Sequence, residues 1–345
     1  MENENKWLEL ARKAKAEKNP EDALKYYAIV HEQDPENVEA KFCYAYFKMT
    51  GGLEWDFYKH FITFCNVIKP TIDLLLAGEY TDEEKKGVFD VMLGCLKTSY
   101  NTALKIEDKK IFDTDKNDTT IIFKLYYETL QVVYTKILEL YSDDLKMALI
   151  AYETKLSYVK YYAYRYDSDR RNAMKEMIEE VKAKYGEDPD FIKFANKITL
   201  DLIDEKYQDI KTGDKGRLEF IEKLESEYSS NPEVLKYADS KWDNIILKQA
   251  REVKISNNNI KTKAIDLYTL GDKIESRYAH KKQYSLNYMM QQAVECWKDG
   301  VAHQQEFYAY VTDKSMPKRY ADKIKKYDPT YEMPQKAGCI SVKNK

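Results

Sequence analysis

Residues 7–36 read WLELARKAKAEKNPEDALKYYAIVHEQDPE, and this stretch decides the fold class. Trp7, Leu10, Ala11 and Ala14 recur at three- and four-residue steps, so they share one face of a helix; Ala23, Tyr27 and Val30 repeat that pattern on a second. Between them, Asn19-Pro20-Glu21-Asp22 is a helix start. Asn19 is placed to cap, Pro20 sits at the first helical position where its missing N–H is not needed, and the acidic pair meets the positive end of the helix dipole. Asp34-Pro35-Glu36 repeats the signal for a third helix.

These residues resemble the tetratricopeptide repeat, a 34-residue helical hairpin. Its pattern sets a large aromatic, a Leu, a small residue, Ala, an aromatic and Pro at fixed offsets, and Trp7, Leu10, Ala11, Ala23, Tyr27 and Pro35 occupy them over residues 4–37. Ala14 stands where the pattern usually has Tyr, and Val30 where it usually has Ala; both keep an apolar contact. The resemblance implies an elongated, all-α, tetratricopeptide-like α-solenoid of stacked antiparallel hairpins. It also implies a concave surface, formed by one helix of each pair, that holds an extended peptide or a partner helix.

Beyond residue 37 the repeat is degenerate. A second unit opens with Val38 to Tyr46, and after Gly51-Gly52 its partner helix spans Leu53 to Ile68. Starts of the Asn-Pro or Asp-Pro type recur at Asp188-Pro189 and Asn231-Pro232, 43 residues apart, each preceded by a helix ending in Tyr (Tyr185, Tyr228). Core stripes run through Val88, Val91, Met92, Cys95, Leu96 and Ala103, through Ile121, Ile122, Leu125, Leu130, Val133, Tyr134, Ile137 and Leu138, and through Ala173, Met174, Met177, Ile178 and Val181. Thr81-x-x-Glu84 is a capping box, and Ser142-Asp143-Asp144 caps a helix beginning near Leu145. Gly213-Asp214-Lys215-Gly216 reads as a helix-to-helix turn. Two long helices, Asn259 to Lys281 and Ser285 to Val311, and a short one from Pro317 to Lys326 complete the count. Charge crowding at 107–120 predicts a linker, which divides the chain into N-terminal hairpins (1–106), a helical repeat or bundle region (121–328) and an irregular tail (329–345).

Composition agrees with the helical class: only 11 Gly and 8 Pro in 345 residues leave little material for β-turns, while 33% of residues are charged. The net charge of −3 supplies no global positive field toward nucleic acid or an anionic membrane. Five cysteines without a C-x-x-C pair, four of them in helical segments among apolar neighbours, predict reduced thiols in a cytoplasmic protein. The polar, acidic N-terminus and the lack of a long apolar run predict neither a secretory leader nor a membrane span.

Catalytic motifs are missing: there is no G-x-S-x-G, P-loop, G-x-G-x-x-G or H-E-x-x-H. The best metal-ligand pattern is Glu295, Asp299, His303 and Glu306 on one stripe, but it lacks a matching second helix and reads as a solvated face. The sequence therefore predicts a non-enzyme with no cofactor and no metal. Its leading reading is a protein-protein interaction scaffold whose partner-binding groove is lined by Leu8, Arg12, Lys15, Phe42 and Tyr46, the positions pointing off the core stripe. Tetratricopeptide domains that clamp a terminal carboxylate use a Lys and an Asn at two groove offsets; here these are Leu8 and Arg12, so that clamp is not expected.

A second reading is a nucleic-acid-associated repeat protein. It would use Tyr152, Tyr158, Tyr161, Tyr162, Tyr164 and Tyr166 interleaved with Lys155, Lys160, Arg165, Arg170 and Arg171, together with the basic end at Lys318, Arg319, Lys323, Lys325 and Lys326. A third is a regulator whose helical array closes on a short signalling peptide, although no helix-turn-helix segment precedes the first repeat.

Overall fold

Asparagine and aspartate side chains start several of the helices, Asn19, Asn37, Asp144 and Asn231 among them. In the computed structural model, which describes residues 2–51, 56–108, 116–256, 260–278, 285–307 and 313–335, α1 (Glu2–Ala16) is followed by α2 (Pro20–Gln33), whose Asp22 N–H donates to the Asn19 side chain at 3.2 Å. Helix α3 (Val38–Thr50) is capped by Asn37, which accepts from the Ala40 N–H at 2.9 Å. Asp34 instead ends α2 and orders the intervening turn by accepting from the Glu36 N–H, so the start expected at Asp34-Pro35 lies three residues later.

Helix α4 (Phe57–Ala77) runs nine residues beyond the expected end and passes through Pro70. Residues 52–55, where it was expected to begin, lie outside the described residues. By length and hydropathy α4 matches a membrane span, more closely than the sequence reading allowed. Its Phe57, Phe61, Phe64, Cys65, Ile68, Ile72 and Leu75 are nonetheless buried in a core. The Thr81/Glu84 capping box closes in both directions at 2.8 and 3.3 Å to start α5 (Asp82–Asp108).

Helix α6 (Lys116–Tyr141) follows, so helix enters the predicted 107–120 linker from both sides; residues 109–115 lie outside the described set. Asp144 caps α7 (Leu145–Tyr161) through the Met147 N–H at 3.0 Å. Next come α8 (Asp167–Tyr185) and α9 (Pro189–Gln208). Gly213, at φ 69°, leads into α10 (Gly213–Glu227), so Gly213 to Gly216 form the first turn of a helix rather than a connection.

Asn231 accepts from both Glu233 and Val234 N–H to start α11 (Pro232–Ile255); α12 (Ile260–Tyr278), α13 (Ser285–Glu306) and α14 (Met316–Ile324) complete the chain. Among the described residues there are 14 helices and no strand. The protein is all-α.

The chain divides into two compact units, 1–199 and 200–345, with the division inside α9 and not at 107–120. In unit 1 successive helices from α1 to α8 pack against their sequence neighbours, and α4 also packs on α6 and α3 on α5. One apolar core runs through them, from Ala11 and Tyr27 past Phe61, Phe64, Phe89 and Met92 to Val133 and Ile137. Each predicted stripe holds, with single exceptions where Val91 and Ile121 face outward. Phe89, absent from the first stripe, is fully buried in its place.

Unit 2 packs α10 on α11, α11 on α12 and α13, α12 on α13, and α13 on α14. Its centre is Trp297, fully buried, whose indole N–H donates to Asp272 at 3.1 Å. Asp272 also accepts from Tyr320 and Lys323, both at 2.7 Å. Tyr268 stacks on Tyr320 with centroids 3.8 Å apart, and its hydroxyl donates to Gln304 at 2.8 Å.

Helices α12 and α13 approach closely because Gly271 and Gly300 leave room for opposing rings. A Cβ at Gly271 would lie 2.3 Å from Trp297 Nε1, and one at Gly300 2.7 Å from Tyr268. Gly271→Ala is therefore expected to destabilise the protein by about 1–3 kcal/mol through overpacking. Gly87→Ala and Gly94→Ala on α5, where nothing lies within 4 Å of the added methyl, should gain up to about 1 kcal/mol from helix propensity. Urea midpoints of the three variants check the opposite signs.

Candidate functional site

Helix α1 reaches α3 through side chains at the positions expected to line a groove. The Arg12 guanidinium donates through Nε and Nη2 to one carboxylate oxygen of Glu39, at 2.8 and 2.6 Å. The other oxygen accepts from the Tyr27 hydroxyl at 2.7 Å, so one carboxylate joins α1, α2 and α3. Burial, the Cys43 thiol and Glu39 all push the Tyr27 phenol well above its ordinary range. Lys15 lies 3.7 Å from the Cys43 sulfur.

Of the five residues predicted to face a partner, the structure keeps Arg12 exposed and leaves Leu8 and Lys15 half-buried. Tyr46 is half-buried against Phe47 and Phe64, and burial pushes its phenol up to about 12. Phe42 is a correction: it is 3% exposed, with its ring 5.5 Å from that of Phe64, and belongs to the core between α3 and α4. Aromatic periodicity on α3 does not separate the side facing α4 from the side facing solvent, because both carry large rings.

The four described cysteines are unbridged. Burial is the leading cause that pushes the Cys43 and Cys296 thiols up to about 11 and those of Cys65 and Cys95 up to about 12. All four are thus protonated near neutrality and poor nucleophiles. Cys339 lies outside the described residues.

The tyrosine-rich segment splits in two. Tyr152 is buried and donates to Glu180, which also takes Lys155, while Tyr162 stacks on Tyr127 and donates to Glu128. Only Tyr161, Tyr164 and Tyr166 stand out in solvent, at 60, 44 and 63% exposure, with Arg165 over the Tyr166 ring. Arg170 pairs with Asp167. At the basic end Lys323 is held by Asp272 and Glu275, and Arg319 lies on Tyr320.

On the stripe of Glu295, Asp299, His303 and Glu306, which reads in the sequence as a solvated face, three of the four side chains have protein partners. Asp299 takes Lys254 at 2.6 Å, Glu295 takes Lys298 at 3.2 Å, and His303 packs on Phe307. Among the described residues no group of three His, Cys, Asp or Glu side chains converges to hold a metal.

A pocket missing from the sequence reading opens between α2, α3 and α4, with a volume of about 200 Å³. Lys41, Tyr44, Ala45 and Lys48 of α3 form its floor, His31 from the last turn of α2 one wall, and His60, Thr63 and Val67 of α4 the other. The signal was present in the spacing. Positions 41, 44 and 48 and positions 60, 63 and 67 each follow the i, i+3, i+7 rule, but only the packing of α2 brings His31 to them.

No family model matches the chain, and no curated protein matches it.

Proposed function

We propose that this chain is a cytoplasmic protein-interaction scaffold. In this reading its helices continue the tetratricopeptide-like hairpin of residues 4–37 as a degenerate α-solenoid, and it acts by holding a protein or peptide partner rather than by catalysis. The observation that carries the reading is the joint between the first hairpin and α3. The small and aromatic residues at the repeat offsets, Ala11, Ala23 and Tyr27, are sealed inside. Arg12 and Lys15 meanwhile lie on the side shared with Glu39 and Cys43 of the next helix, which is the relation that one repeat bears to the next. The groove so defined comprises Leu8, Arg12, Lys15 and Tyr46, with Phe42 acting from beneath as support.

Affinity capture from lysate of the source cell, at low and elevated salt, tests the reading with wild type, Leu8→Asp plus Arg12→Glu, and Glu39→Gln. Glu39→Gln weakens the same ion pair without reversing the groove's charge, so it separates misfolding from loss of the binding face. A discrete protein retained by wild type and by Glu39→Gln at both salts, and lost from the groove variant, supports the scaffold. Nucleic acid that washes off with salt and ignores the groove change would instead move the activity to Tyr161, Tyr164 and Tyr166.

A further inference from the structure

We propose that the pocket between α2, α3 and α4 is an anion site for a phosphate group, either inorganic phosphate or a phosphoryl group carried on a small molecule. This does not rest on the scaffold reading, since the site lies in the first two hairpins and uses none of the groove residues. Among the described residues the lining holds Lys41, Lys48, His31 and His60 and no carboxylate. Two lysine charges on one helix face, with two imidazoles that can gain a proton beside them, are favourable to a bound dianion.

The donors are poised for such a ligand. Lys48 donates to the Tyr44 hydroxyl at 3.3 Å, so that hydroxyl accepts from the lysine and keeps its own proton to donate. His31 packs its ring 5.5 Å from that of Tyr44, and its Nδ1 is buried with no hydrogen-bond partner among the described residues. Buried polar atoms of this kind are normally satisfied, and a ligand oxygen entering the pocket would accept from Nδ1 when that nitrogen carries a proton. Thr63 spends its proton on the Lys59 carbonyl and would contribute only an acceptor. A water occupies about 30 Å³ of liquid, so a pocket of about 200 Å³ admits a phosphate and a short attached group.

The imidazoles make the site respond to pH. His31 is lowered by burial and by Lys41 of α3, against Asp34 and Glu32 at its own helix end; Tyr44 is the other group facing it. His60 is lowered by burial, by Lys48 of α3 and by Lys59, against Asp56. Both are neutral at pH 7, when the lysines alone supply charge. A bound dianion favours the protonated imidazoles, so binding takes up protons and strengthens as pH falls. Sulfate isolates this effect, because its charge does not change over the range used.

The chain has four histidines, so imidazole NMR resonances of the full chain report the site directly. Inorganic phosphate, phenyl phosphate and sulfate are titrated at constant ionic strength set with chloride. Saturable shifts confined to His31 and His60, a rise in their midpoints toward or above about 6.5, and sulfate binding stronger near pH 6 than near pH 8 are expected. Lys41→Gln with Lys48→Gln should weaken binding at least about ten-fold, or about 1.4 kcal/mol. Tighter binding of phenyl phosphate identifies a carried phosphoryl group as the ligand, and equal binding identifies the free ion. No saturable shift at tens of millimolar anion, or shifts unchanged in the double variant or shared by His303, would overturn the proposal.

Discussion

Trp297→Ala is expected to cost unit 2 about 3–5 kcal/mol, the range for deleting a fully buried large aromatic. The indole is fully buried, lies 5.8 Å from the Tyr327 ring and 6.4 Å from that of Tyr320, and carries the Lys323 ammonium 4.4 Å above its face. Alanine would open a cavity that neighbouring side chains fill only in part. The lost hydrogen bond is the smaller part of the cost, because Asp272 keeps Tyr320 and Lys323. Trp297→Phe, which retains most of the apolar contact and gives up the donor, should therefore cost about 1–2 kcal/mol. The measurement is the midpoint of urea unfolding followed by far-ultraviolet circular dichroism, with the slope unchanged. A cost below about 1 kcal/mol for the alanine variant would mean that α13 does not pack on α12 and α14 around this ring.

Helix class and most starts were legible in the sequence because they depend on local chemistry. Asn19, Thr81, Asp144 and Asn231 each satisfy backbone N–H groups within three residues, and a short-range interaction is fully encoded in a short stretch. Helix ends were less legible. Pro70 signals a break, yet α4 continues past it, since burial of Ile72 and Leu75 outweighs one lost backbone bond. The 107–120 charge cluster suggested a boundary between domains, but charge reports solvent exposure and not which helices share a core. The core of unit 1 passes from α5 to α6 across it.

Site geometry was the least legible. Two features decide the pocket: His31 at the end of α2 and the pairing of α3 with α4. Neither is a property of any single helix. The same limit explains Phe42. Its spacing was compatible with either face of α3, and only the position of Phe64 assigns it to the core.

Tyr27→Ala is the variant that should most disturb unit 1, by a cost again on the order of 3–5 kcal/mol. Tyr27 is fully buried, stacks on Phe47 at 5.9 Å, and its hydroxyl reaches the carboxylate that also holds Arg12. Tyr27→Phe separates ring from hydroxyl. It keeps the packing and removes one donor from Glu39, for a cost of about 1–2 kcal/mol. Arg12, more than half exposed, contributes less alone, about 1 kcal/mol or below after screening by solvent.

Because Tyr27 and Arg12 share Glu39, their losses should not add. With both donors gone, the carboxylate is left half-buried without a partner from α1 or α2, so the double variant Tyr27→Phe plus Arg12→Met should lose at least about 0.5 kcal/mol more than the sum of the singles. That excess is the free energy by which one carboxylate couples the first hairpin to the next helix. An additive cycle would mean that α1 and α2 each meet α3 independently. Arg12 and Tyr27 would then each hold Glu39 through their own hydrogen bonds, with no cooperative gain from sharing one carboxylate.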